Sequence, residues 1–597
     1  MYRAHICATT FLLALCALTL AAPAGAEFAT VADAMDAMVT RLYATHSEED
    51  LAALDGPAIA AFITPEERAA LATKHWYFDV DVPVIVSLLR EAQQATVPFW
   101  LEESGFAKTD MTVTNEMDWT YEVWQKSFPA GRVKLGINGF DKHRPHYLVS
   151  VGPQNAGDTV TIANLHPAKY SIETMAPGSM CYHDWSDLVL KEVPEALLGQ
   201  QLLTTIRGRA RDAHLIGAFR RTPYPSSVKP DQVMLTWSAD PKTTQTIQWR
   251  TNPSVAEGVV LWREKHGDAS GRVTAETVRL QDRMLANDRY IHRHTAVLTG
   301  LKPGTEYEYT VGSPRVNIWS DAYTFTTAPA TTDGPVAFFF TGDTHLKESW
   351  GAMMDGALKR HAKPAFYNIA GDLVSTGQYQ SDWDEFFHHS RNIIARVPLM
   401  PSLGNHDAID GLGPQRYLNL FALPQDGPDT LTPEQAYAFE YGNVLMINLD
   451  CTARIEVQDA WLEETLKNST AAWKFVSFHF PNFDPRYREE YQPITDHWSS
   501  LFDKYHVDMV FQGHTHRYFR TKPIRNEQPV DSPADGTIYV CTIAIPNKPG
   551  RVAEADYIAK AFSGVPLYQT VTIKGNRMVY ESRDAGGVLH DSLAIEK

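Results

Sequence analysis

Apolar positions along the chain change period several times, and each change marks a change of element. From residue 27 to about 75, Val31, Met35, Met38 and Leu42 recur at three- and four-residue spacing, which predicts helix. Thr64-Pro65-Glu66-Glu67 reads as a helix start, a cap followed by proline. From Phe78 the period falls to two. Phe78, Val80, Val82 and Val84 alternate, as do Val133, Leu135 and Ile137, then Tyr147, Val149 and Val151, and these predict strands. A stretch over about 185–215 reads as more helical and closes the region. Residues 27–215 are thus an unassigned mixed α/β region whose aromatics (Trp76, Trp119, Trp124) belong to a core.

Residues 222–328 read as all-β. Val233, Leu235 and Trp237 alternate, then Ile247 and Trp249, with turn residues at close intervals, which predicts a sandwich of about 100 residues. The segment Gly300-Leu-Lys-Pro-Gly-Thr-Glu-Tyr-Glu-Tyr309 and the closing Trp319-Ser320 and Phe325-Thr326-Thr327 resemble a fibronectin type III-like module, as found before the catalytic domain of purple acid phosphatases. Thr326 to Gly334 reads as a linker. From Pro335 to 597, short apolar runs (336–340, 365–369, 444–447, 475–478, 507–511) alternate with helical patterns near 348–361, 382–396 and 456–467. The expected fold class is multidomain α+β: a mixed region, an all-β sandwich, then a layered α/β domain flanked by helices.

Composition narrows the partners. The 597 residues, 44% hydrophobic and 21% charged, suit two to four globular domains. Arg3, the apolar run from Phe11 to Ala22 and Ala24-Gly25-Ala26 have the pattern of a secretory signal peptide cleaved after Ala26, so a secreted or periplasmic protein is expected. That run is too short to span a bilayer, and no later stretch is apolar enough to do so. The formal charge is −17, and cleavage removes one positive residue and no acid, leaving −18. Such a balance argues against nucleic acid or an anionic membrane as a stable partner. Cys181, Cys451 and Cys541 remain after cleavage; they allow at most one bridge, and otherwise are buried apolar side chains.

Each apolar run of the last region ends in a potential metal ligand. Gly342-Asp343-Thr344-His345 follows Phe340, and Gly371-Asp372 follows Ile369. Gly404-Asn405-His406-Asp407 follows the Pro398–Ser402 segment, His479 follows Phe478, and Gly513-His514-Thr515-His516 follows Phe511. In open α/β sheets ligands bind beyond the carboxyl ends of strands, so five such ends describe one convergent site. Singly, each fragment is as well explained by a turn, a cap or a hydrogen-bonded core histidine. Together, carboxylate oxygen and imidazole nitrogen suit Mn, Fe or Zn, and the lack of cysteine ligands argues against a structural zinc.

The order Asp-x-His, Gly-Asp, Gly-Asn-His-Asp, His, Gly-His-x-His resembles the calcineurin-like metallophosphoesterase superfamily over about 335–545. The resemblance implies two divalent ions about 3.5–4 Å apart. Asp343, His345 and His516 would hold one, Asn405, His479 and His514 the other, and Asp372 would bridge them. It implies a water or hydroxide between the ions as nucleophile toward a small-molecule phosphate ester, with Asn405 also near the substrate and His406 protonating the leaving oxygen or stabilising the transition state. Asp407 either orients the His406 ring or serves as a cap or surface pair. Arg486 and Arg488 form either a phosphate clamp or a solvated loop balanced by Asp484, Glu489 and Glu490.

The implied activity is an exported, acid phosphatase-like phosphomonoesterase. The alternatives are a phosphodiesterase on the same scaffold, and an extracellular binding or adhesion protein with an inert metal domain. The seven-residue ligand set is complete, which disfavours the last. One departure is chemical. Purple acid phosphatases carry a tyrosine three residues after the bridging aspartate, whereas Ser375 stands there, and His345 stands where those enzymes have glycine. An oxygen ligand is lost and a nitrogen gained. Aerobically purified protein is therefore expected to show no visible charge-transfer band; a purple absorption spectrum would contradict the divalent pair.

Overall fold

The computed structural model describes residues 27–597 except 169, 170, 184–186, 362, 409–412, 547 and 551. The expected signal peptide, residues 1–26, lies outside the described residues. Among those described, no helix is long and apolar enough to cross a membrane.

The predicted amino-terminal helices form over Val31–Thr45, Glu48–Ala52, Gly56–Phe62 and Pro65–Thr73. Thr30, Ser47 and Thr64 each close a capping box on the residue three positions on, satisfying amides a helix start leaves unpaired. Met35, Met38, Leu42 and Leu71 share one buried cluster with Ile137. Strands follow, including Val84–Glu91 paired antiparallel with Thr120–Phe128 and Leu148–Pro153.

The helical reading of 185–215 is corrected. Asp187–Glu192 pairs with Ala107–Asn115, Gln201–Leu203 pairs with Leu148–Pro153, and among the described residues of this stretch only Arg207–Ala210 is α-helical. Leu188 and Leu190 are buried alternately, a period of two, while Pro194 and Gly199 cut the segment into pieces too short for a stable helix.

Between residues 231 and 326 two sheets face each other. One has the order Asp231–Thr236, Gln245–Thr251, Tyr290–Leu298, Glu276–Gln281; the other is built on Val259–Glu264 and Glu306–Ser313. Leu235, Ile247, Trp249, Tyr307, Tyr309 and Phe325 fill the space between them. This sandwich is locked to the carboxyl-terminal layers by buried arginines. Arg250 pairs with Asp231 at 2.6 Å and with Asp384 at 2.7 Å, and the Arg250 and Asp384 side chains are 1% and 0% exposed. Arg293 donates twice to the Leu420 carbonyl, at 3.1 and 2.8 Å.

The carboxyl-terminal part stacks two sheets. In the five-stranded one, Val336–Thr341 pairs parallel with Tyr367–Ile369 and antiparallel with Leu567–Lys574. In the seven-stranded one, Val444–Asn448, Trp473–Ser477, Met509–Gln512 and Ile538–Cys541 run parallel. Alternation assigns the faces. Phe338, Phe340, Phe475 and Phe511 point between the sheets, with Phe340 and Phe511 stacked at 4.4 Å. Ile447, Val476 and Val510 point outward onto Leu462, Trp498 and Phe502 of the helical layer. Helices Glu348–Arg360 and Gln380–Ile394 contribute Trp350 and Phe386, stacked at 5.1 Å, to the inner cluster. Cys181, Cys451 and Cys541 are free and buried.

The amino-terminal region also buries a histidine pair. His146 Nδ1 donates to the Tyr147 carbonyl at 2.6 Å, so its Nε2 accepts from His75 Nε2 at 2.7 Å. Burial, reinforced by the nearby Arg209 charge, holds both pKa values well below 6.5. Unfolded, each ring takes a proton near 6.5, so the unfolded state binds more protons below that pH and stability falls as pH falls. The loss is up to about 1.4 kcal/mol per histidine per pH unit. Thermal unfolding between pH 8 and 5 should show this acid limb, and His75→Gln should flatten it; an unchanged slope would contradict the assignment.

Candidate metal centre

The strand ends of both sheets deliver the expected ligands to one place. Asp343 follows Val336–Thr341 and Asp372 follows Tyr367–Ile369 in one sheet; His479 follows Trp473–Ser477 and His514 follows Met509–Gln512 in the other. The loops interleave too closely for side chains. A Cβ on Gly404 would lie 2.2 Å from Asp372 N, and one on Gly513 would lie 2.2 Å from Asp343 Oδ1. The motif glycines are therefore needed for close approach. His345, Asp372, His514 and His516 sit at φ of 41°, 54°, 71° and 51°. Left-handed backbone is uncommon outside glycine, and here it falls on four of the seven expected ligands, where strain is held for function.

Each carboxylate is anchored through one oxygen and presents the other. The amide of His514 donates to Asp343 Oδ1 at 2.7 Å, and that of His406 to Asp372 Oδ1 at 2.8 Å. Asp343 Oδ2 then lies 2.9 Å from His516 Nε2, and Asp372 Oδ2 lies 3.1 Å from His479 Nε2 and 3.7 Å from His345 Nε2. His345 and His516 bring their Nε2 atoms to 3.1 Å of each other. On the other side, Asn405 Oδ1 is 3.0 Å from both His479 Nε2 and His514 Nδ1. His479 Nδ1 donates to the Ala370 carbonyl at 2.7 Å, which turns Nε2 toward the site.

Carboxylate oxygens and imidazole nitrogens thus converge on one space. Two donor groups result, Asp343, His345, Asp372 and His516, and Asp372, His479 and His514, each with its donor atoms within 4.8 Å of one another. Atoms bound to one ion at about 2.1 Å lie roughly 3.0–3.4 Å apart, so this spacing fits a cation in each group. Asp343 Oδ2 is buried with no hydrogen-bond donor in line, although His516 Nε2 is close, which a cation between them would resolve. The charges are felt unequally: burial opposes charge on His479, but Asp372 and Asp343 raise its pKa to about 9, while burial and then His479 lower that of His514 to about 4.

His406 stands at the edge. Its Nδ1 donates to the Ser375 carbonyl at 2.7 Å, its Nε2 is 4.0 Å from Asp372 Oδ2, and its side chain is 25% exposed. Asp407 is corrected as an orienting group for that ring. Its Oδ1 accepts from the Leu373 and Val374 amides at 3.0 and 3.3 Å and its Oδ2 from Gly404 at 3.0 Å, so it ties the Asp372 loop to the Asn405 loop. Arg488 is corrected as a phosphate clamp. It donates to the Asn482 carbonyl at 2.9 Å, Thr495 Oγ1 at 2.7 Å and Glu527 at 2.5 Å, and stacks over Phe483.

Two contributors escaped sequence reasoning. The Asp484 carboxylate pairs with the Arg517 guanidinium across 33 positions, both side chains being almost wholly buried, and its Oδ1 also accepts from the Arg486 amide at 3.0 Å. This pair binds the loop after His479 to the residue after His516. Phe480 stands edge-on to His514 at 4.8 Å and stacks on Tyr491 at 5.1 Å, an aromatic wall beside the site. Only their position after ligands hinted at either.

The layered sheets with candidate ligands at their strand ends define a metal-site domain. The family models agree: residues 336–518 match "Calcineurin-like phosphoesterase" and residues 230–327 match "Purple acid Phosphatase, N-terminal domain". The match to the purple acid phosphatase N-terminal domain thus precedes, along the chain, the match to the calcineurin-like phosphoesterase domain that contains the candidate ligands. It is 26% identical over 270 residues to purple acid phosphatase 23 of Arabidopsis thaliana, covering 39% of this chain and 58% of that protein. It is 24% identical over 329 residues to the Fe(3+)-Zn(2+) purple acid phosphatase 12 of the same plant, covering 52% of this chain and 68% of the relative. The fold resembles purple acid phosphatase PPD1 from yellow lupin seeds, with a TM-score of 0.55 at 15% identity, over 88% of this chain and 91% of that one.

Breaking a buried pair leaves an uncompensated charge. Arg517→Ala should therefore lose about 3–5 kcal/mol in denaturant unfolding. Arg488→Ala should leave KM and kcat unchanged. A raised KM for Arg488→Ala in steady-state assays would restore the clamp.

Proposed function

We propose that the chain is an exported, binuclear metal-dependent phosphomonoesterase. The observation that carries this reading is the sharing of Asp372 by two adjoining donor groups, which suits two ions side by side. On this reading residues 335–597 carry the chemistry, residues 222–328 brace it, and the export signal over 1–26 sends it to the periplasm or outside. The relatives named as purple acid phosphatases support the reaction class. The metals proposed are divalent Mn, Fe or Zn. The ferric ion in one relative's name is not carried over, because Ser375 offers its carbonyl to His406 and no phenol stands there.

The ions, when bound, supply Lewis acidity toward the phosphoryl group and activate water for attack. The chain's own residues do the rest. His406 is held by Ser375 with its proton on Nδ1, so a second proton on Nε2 is placed to pass to the leaving oxygen. Asp407 keeps the loops that carry Asp372 and Asn405 in register. The wall of Phe480 and Tyr491 suits an aryl or nucleobase leaving group.

The test is the initial rate on aryl phosphate monoester and diester with Mn²⁺ restored, against a chelated control, with metal content measured. Two metals per chain and a chelator-sensitive preference for the monoester are expected. His406→Gln should lose about 10²–10⁴ in kcat with metal content unchanged. Preference for the diester would make the chain a phosphodiesterase. Inactivity on both with metals bound would favour the binding or adhesion reading.

A further inference from the structure

A cavity of about 330 Å³ opens where the three parts of the chain meet. Lys142 and Arg211 come from the amino-terminal region, Asp282 and Arg283 from the sandwich, and Tyr379 and Arg416 from the metal-site layers. Its volume falls in the range of small-molecule sites.

The cavity's charges do not balance. Three carboxylates line it, and each has a cation. Asp282 holds Arg220 through both oxygens at 2.9 and 3.0 Å, Asp36 pairs with Arg283 at 3.2 Å, and Asp212 pairs with Arg209 at 3.0 Å. Arg416 makes three bonds, all to neutral acceptors: the Gln378 carbonyl at 3.1 Å, Gln380 Oε1 at 2.8 Å and the Gln281 carbonyl at 2.9 Å. No carboxylate among the described residues lies within 4.0 Å of it. The Lys142 ammonium makes no hydrogen bond or ion pair among them either. Among the cations that line the cavity, Arg416 and Lys142 thus face it with no carboxylate partner among the described residues, in a chain of net charge −17. Asp282 acts on Arg416 from a distance, but both its oxygens are held by Arg220, so Arg416 has no carboxylate in contact.

We propose that this cavity is a second anion site, separate from the metal centre, that takes a small phosphorylated molecule. Arg416 and Lys142 receive the phosphate, and the Tyr379 ring, covered on one side by Arg220 at 3.6 Å, forms part of the wall beside it. Occupancy bears on the metal centre through one loop. Arg416 holds the Gln378 carbonyl, and the adjacent Gly377 amide donates to the His406 carbonyl at 2.8 Å.

The site stands whether or not the phosphomonoesterase reading does, so it is tested without turnover. The full chain, stripped of metal and dialysed free of chelator, is equilibrated with adenosine 5′-monophosphate, with adenosine as the uncharged control. One equivalent of the nucleotide and none of the nucleoside should be retained, less tightly at high salt. Lys142→Ala and Arg416→Gln should each weaken retention by about ten-fold or more. Lys142→Ala decides the matter, because its ammonium makes no bond among the described residues while Arg416 also braces the loop. No retention by the stripped chain, or retention undiminished in Lys142→Ala, would overturn the proposal.

Discussion

Everything at the strand ends is organised around two buried carboxylates that must coexist. Asp343 and Asp372 are both almost fully buried, and like charges at such a spacing in a poorly polarisable interior repel strongly. The fold relieves this in two ways. One oxygen of each acid receives a backbone amide, and the other faces imidazole nitrogens whose far sides are fixed by carbonyls, as at His479. Positive charge in this space, as protons on His479 and His516 or as metal ions, is a condition of the arrangement rather than an addition to it.

The surrounding architecture holds these loops in register. The phenylalanines between the sheets set their separation, so that strand ends from two sheets reach the same centre. Asp407 ties the second and third loops together by backbone hydrogen bonds, and the Asp484–Arg517 pair does the same for the fourth and fifth. The sandwich adds its part through Arg250, whose buried partner Asp384 lies on the helix Gln380–Ile394 that follows the loop contacting His406.

The ligands were legible because they follow apolar runs directly, and a run of Val, Phe and Ile followed by glycine and a donor needs no knowledge of distant partners. The roles of Asp407 and Arg488 were not, since they depend on what lies opposite in space. Asp407 meets the amides of residues 373 and 374, and Arg488 meets Glu527. The helical reading of 185–215 failed for a related reason: short segments with ambiguous spacing take the structure of the strands they pair with. The carboxyl-terminal hairpins lay outside the sequence reading because they carry no chemistry.

Those hairpins set the order in which the metal-site layers are completed. Val336 pairs with Ile573, so the first strand of the metal-site layers finds its antiparallel neighbour only after more than two hundred further residues have been synthesised. Until then Phe338 and Phe340 lie on an open sheet edge. Pairings this distant in sequence form late and leave apolar strands exposed meanwhile. The sandwich face that carries Met234, Trp237 and Ile291 shares its core with these layers, so it too is completed only when the last strands are in place.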